Sequence, residues 1–60
     1  MKYIYILNVQ MTGVNGGVIN FVDSAFSDVA FADEVRLQMN ERYKDDKNYM
    51  CYITGPIALN

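Results

Sequence analysis

Ten residues near the start of the chain, Lys2 to Met11 (KYIYILNVQM), narrow the choice of fold more than any other stretch. Read with a period of two, Tyr3, Tyr5, Leu7, Val9 and Met11 fall on one side of an extended ribbon. Ile4, Ile6, Asn8 and Gln10 fall on the other. A strand covered on one side alternates cleanly between apolar and polar residues. A strand apolar on both sides sits in the middle of a sheet. The first strand is therefore expected to be central.

Sixty residues suffice for one domain near the lower limit of independent folding. A core of that size needs reinforcement from disulfides, a metal or association with another chain. The single cysteine, Cys51, excludes an internal disulfide, and without histidine it makes no zinc site. Self-association or an unusually good core remains. No metal and no cofactor are expected.

The rest of the chain follows in order. Thr12 to Gly17 (TGVNGG) supplies the residues that a hairpin loop needs. A phosphate-binding loop would need these glycines to open a helix with Lys and Ser or Thr behind them. Here they lead into a second strand, Gly17 to Phe26 (GVINFVDSAF), which Asp23 and Ser24 loosen near its end. Ser27 is the expected N-cap of a helix over Asp28 to Tyr43, with Asp28 complementing the dipole and Ser24 as the competing cap. Phe31, Val35, Met39 and Tyr43 recur every four residues beside Ala32, and form the core stripe. Leu37 and Ala30 lie nearly opposite. Leu37 is either an ordinary exposed leucine or a small partner contact. Tyr43 to Asn48 reads as a polar turn, and Asp45 with Asp46 lacks the further oxygen ligands of a cation site. Tyr49 to Thr54 (YMCYIT) is the third strand, broken by Gly55-Pro56. Ile57 to Asn60 is expected to fold back over the core or an open edge.

Together these elements predict an α+β fold of order ββαβ. A crossover through the helix lays the third strand parallel to the second, on the far side of the first, which gives the sheet order 2-1-3. One helix covers one face. The expected core pairs Ile4, Ile6, Cys51 and Ile53 with the helix stripe. That choice leaves Tyr3, Tyr5, Leu7, Val9, Met50 and Tyr52 on the open face. The opposite assignment stays available, because period alone does not separate two apolar faces.

The function classes narrow in the same way. Without histidine no Ser-His or Cys-His pair exists, and Cys51 in mid-strand suits packing better than nucleophilic attack. Asp23, Ser24 and Ser27 are accounted for by strand end and cap, so no catalytic residue is expected. A net charge of −2 argues against nucleic acid, although tyrosines on an open sheet could stack single-stranded bases. No apolar run is long enough to span a membrane, and no signal peptide is evident, so a cytoplasmic protein is expected. The remaining class is protein binding. Tyr3, Tyr5, Leu7, Met50, Tyr52 and Leu37 are the candidate contacts, with another protein or a second copy of the chain as partner.

The opening MKYIYIL, the hairpin TGVNGG, the FSD entry into the helix (Phe26 to Asp28) and the strand NYMCYI (Asn48 to Ile53) resemble small strand-strand-helix-strand proteins of tailed bacteriophages. That resemblance implies an inhibitor or modulator that binds a host enzyme or defence complex in the host cytoplasm. It assigns no functional residue.

Overall fold

The computed structural model describes residues 2–59. Strands β1 (Lys2–Thr12) and β2 (Val18–Phe26) form a hairpin, helix α1 (Val29–Arg42) follows, and β3 (Tyr49–Leu59) closes the sheet. Both outer strands run antiparallel to β1, in the order β2-β1-β3. The α+β class, the ββαβ order and the central place of β1 are as expected from the sequence.

The hairpin turn is held by Gly13 N–H to the Gly17 carbonyl (2.7 Å) and Gly16 N–H to the Gly13 carbonyl (3.0 Å). Asn15 Oδ1 accepts from Gly17 N–H at 3.1 Å. The N-cap of α1 is Asp28, not Ser27: its Oδ1 accepts the Ala30 N–H at 2.9 Å. A carboxylate is as good a cap as a hydroxyl, and here it also opposes the dipole directly. The helix ends at Arg42, one residue short of the expected Tyr43, which is its C-cap.

The core sits between α1 and one face of the sheet. Leu7, Val9 and Cys51 form its centre, and Phe26, Val35, Met39, Tyr49 and Ile53 pack around them. Ala32 is fully buried in the helix. The stripe is therefore rotated toward Ala32, and Phe31 is exposed beside Phe26, edge to face at 5.4 Å. Tyr43 and Tyr49 close the other end with ring centroids 4.4 Å apart.

The covered face corrects the expected core. Register places Leu7 opposite Ile53 and Val9 opposite Cys51, and residues directly opposite share a face. Cys51 and Ile53 do lie under the helix, but Leu7 and Val9 lie there with them. Ile4 and Ile6 are on the open side with Ile57 and Thr54, their partners. The physical reason is at hand: Asn8 and Gln10 share the Ile4 and Ile6 side, so that side is the more polar one.

The C-terminal segment also departs from expectation. It neither breaks at Gly55-Pro56 nor folds back. β3 runs on to Leu59, paired with the beginning of β1, and the register slips so that Gly55 and Pro56 together oppose Tyr5. A bulge on an edge strand is where a sheet tolerates proline. Asn60, part of that expected tail, lies outside the described residues.

Candidate protein-binding surface

A helix of 14 residues is about 21 Å long, whereas the 11 residues of β1 extend about 37 Å. The helix therefore roofs just over half of the central strand, on one side. The consequences are visible in the burial. Four residues are buried (Leu7, Val9, Ala32 and Cys51), while fourteen large apolar side chains among the described residues are exposed.

Three surfaces result. The first is the open sheet face. A polar belt crosses its middle. Asn8 Nδ2 donates to the carbonyls of Ile6 (3.2 Å) and Tyr52 (3.4 Å) and to Thr54 Oγ1 (3.0 Å). Tyr52 O–H donates to Asn20 Oδ1 at 3.1 Å, which ties β3 to β2 across β1. Apolar groups flank the belt: Met50 (47% exposed), Val18, Val22 (62%) and Ile57. A polar centre with apolar margins is ordinary composition for a contact surface between proteins.

The second surface is the arm in which the first residues of β1 pair only with the end of β3. β2 reaches no further than Tyr5, its partner being Phe26. Tyr3, Ile57 and Leu59 are exposed there. The third is the outer edge of β2, where Val18, Ile19, Phe21 and Val22 are all exposed.

The expected contact residues are dispersed over these surfaces. Met50 and Tyr52 lie together on the open face. Tyr3 and Tyr5 point to the helix side of β1 by alternation, Tyr3 exposed on the arm and Tyr5 half-buried. Leu7 is sealed under the helix at 0% exposure, so it touches no partner. Leu37 is exposed at 55% on α1, away from the sheet residues. Val18, Val22, Ile6 and Ile57 were not among the expected contacts, although the polar Asn8 and Gln10 already marked Ile6's side as the open one.

One helix residue was missed altogether. Asn40 donates from Nδ2 to the Cys51 carbonyl (3.2 Å) and accepts the Cys51 N–H at Oδ1 (3.0 Å). Its amide thus imitates a neighbouring strand and closes part of the β3 edge. No local pattern announces such a residue, because the need arises only once β3 is an outer strand.

The Tyr49 side chain lies under the helix end, against Tyr43. Partial burial pushes the Tyr49 phenol well above its ordinary range, helped by its hydrogen bond to Cys51 Sγ at 3.0 Å and by the nearby Cys51, Tyr43 and Asp23 charges. Cys51 is 3% exposed, so its thiol packs rather than meets solvent. Asp46 serves the turn, its Oδ1 accepting from Asn48 N–H at 2.9 Å. Among the described residues no group of three or more acidic or cysteine side chains could hold a metal, and no helix is long and apolar enough to cross a membrane.

Comparison with family models, with curated proteins and with solved structures gave no match for this chain.

Proposed function

We propose that this chain is a protein-binding module that works through the open face of its sheet. The observation that carries the reading is the mismatch between four buried residues and an uncovered sheet face with exposed Met50, Val22 and Ile57. A surface of this kind on a small chain is stable in water only as long as it is dispersed or covered. Met50 supplies an adaptable contact and Tyr52 a large one with a fixed polar tip. The Asn8 to Tyr52 belt would set the orientation of the incoming partner through hydrogen bonds. No catalytic step is part of this reading. An inhibitory role toward a host protein follows from the resemblance to small phage proteins alone.

Affinity capture from a bacterial lysate, followed by binding of the purified partner, tests it. Met50→Glu and Ile57→Glu are expected to weaken binding at least about tenfold, since each places a charge within a desolvated contact. Leu37→Glu is expected to leave it unchanged. A partner retained equally by all three variants would refute the open face as the docking surface.

A further inference from the structure

The two outer edges of the sheet are treated differently. On β3, Asn40 occupies both backbone groups of Cys51, and the Gly55-Pro56 bulge interrupts the edge further on. These are the devices by which sheets avoid pairing with other strands. The outer edge of β2 has no such side-chain cover over Val18–Val22, and its one bulge comes only after that stretch, at Asp23. It carries no lysine, arginine or proline over Val18–Phe26, and its one charge, Asp23, sits at the bulge where Val22 and Ser24 pair with Asn8 and Leu7.

The direction of the β2 backbone follows from the other edge. Cys51 turns its N–H and carbonyl outward to Asn40, so its partner Val9 turns its own toward Phe21. Alternation then aims the backbone groups of Val18, Asn20 and Val22 away from β1, into solvent. The hairpin bond from Gly13 N–H to the Gly17 carbonyl has the same phase. An unpaired ladder of three residues results, bounded by the turn at Gly17 and the bulge at Asp23.

We infer that this edge pairs with a second copy of itself, antiparallel about a two-fold axis at Asn20. In that register Val18 meets the partner's Val22, Ile19 meets the partner's Phe21, and Asn20 meets its own copy. Apolar residues therefore face apolar residues on both sides of the sheet, and Asp23 falls opposite glycine rather than a like charge. Registers centred one or two residues later bring Asp23 against Ile19 or Phe21. The two helices share one side of the six-stranded sheet, and α1 does not obstruct the axis. It leans toward β3 through Asn40 and Tyr43, leaving Ile19 bare at 65%.

The dimensions support an occupant of this size. A folded monomer of 6.9 kDa exposes about 4,000 Å², and this chain exposes 4505 Å². The surplus is about 500 Å² per chain, and an interface covering a like area on each partner would bury about 1,000 Å², the lower limit for a specific one. The Cα radius of gyration, 12.8 Å, likewise exceeds the roughly 10 Å of a compact chain of this length. The edge adjoins the open face proposed above, with Val18, Asn20 and Val22 at their shared margin, and pairing would present that face twice in one continuous sheet.

Sedimentation velocity from about 1 μM to about 1 mM tests the inference, with half-dimerisation expected on the order of 10 μM for so small an interface. Ile19→Lys, at an exposed position off the open face, is expected to raise the dissociation constant at least about tenfold while circular dichroism shows the same fold. Leu37→Lys is expected to leave it unchanged. Asn20→Cys is expected to form a covalent dimer on mild oxidation, whereas the wild-type chain, with Cys51 buried, does not. A wild-type monomer throughout overturns the inference, as does a dimer that withstands Ile19→Lys or an Asn20→Cys chain that fails to cross-link. The two proposals fail separately. Ile19→Lys removes the dimer and spares partner capture, and Met50→Glu does the reverse.

Discussion

Asn40 does for β3 what no strand does. Its carboxamide offers one donor and one acceptor in a plane, the same pair that an adjacent peptide would offer to Cys51. Asn40→Ala would strip both bonds and leave the two groups half-enclosed by the helix. The expected loss is about 2 kcal/mol, two ordinary hydrogen bonds, read as a lower urea midpoint with an unchanged slope. Tyr49, two residues before Cys51, gives a second measurable signature. Its folded pKa lies above the unfolded value, so the neutral phenol is the form the fold favours. The stability it contributes is intact below about pH 10, the unfolded pKa, and is lost as pH rises toward the folded one. Urea midpoints should hold steady from pH 7 to about pH 9 and fall beyond about pH 10. Tyr49→Phe should fall less over the alkaline range, because its position no longer takes part in the titration.

Among the strands, β3 shows why a break signal in sequence is weaker than it reads. Gly55 and Pro56 do interrupt the ladder, yet pairing resumes at Ile57 opposite Ile4. The interruption is built on Gly55, whose φ of 129° is a left-handed-side value that side chains resist. A Cβ there would stand 2.9 Å from the Ile4 carbonyl oxygen and 3.4 Å from Tyr5 Cα. Gly16 in the hairpin also has positive φ, 84°, but a Cβ there meets nothing within 4 Å. Gly16→Ala should therefore cost about 1 kcal/mol, the backbone penalty alone. Gly55→Ala should cost about 2–4 kcal/mol, backbone and clash together. Equal midpoints for the two variants in urea would disprove the clash. The strand faces show what was legible beforehand. In β3 the alternation already puts Met50 and Tyr52 on the open side and Cys51 and Ile53 on the covered one, because aliphatic residues and a small thiol suit a closed core. In β1 both faces begin apolar, so period alone puts Tyr3, Tyr5, Leu7 and Val9 on the wrong side. Asn8 and Gln10 held the deciding information, since the helix could not cover them as cheaply as Leu7 and Val9. The Asn40 contact was not legible at all, because it depends on which strand ends up outermost.

Burial across the molecule is uneven along its long axis. The Cα framework measures 42 × 22 × 11 Å, and α1 spans about half of the longest dimension. Three strands and a helix are stacked around Leu7, Val9 and Cys51, whereas Lys2 to Ile4 and Ile57 to Leu59 form a two-stranded arm with no layer above it. Two-stranded ribbons are marginal in water without a third strand or a packed helix. Opening the arm exposes little that is buried, so it should open locally rather than with the whole fold. Amide hydrogen exchange by NMR should then divide the chain. The Val9 amide, turned toward Phe21 in the middle of the sheet beneath the core, should exchange only through global unfolding. The amides of Lys2 to Ile4 and Ile57 to Leu59 should exchange at least about a hundredfold faster. The Cys51 amide belongs with the slow set while Asn40 is present and should join the faster set in Asn40→Ala. Uniform protection from Lys2 to Leu59 would mean that something outside the helix covers the arm, and the sheet beyond Tyr5 would then be part of a contact rather than a bare extension.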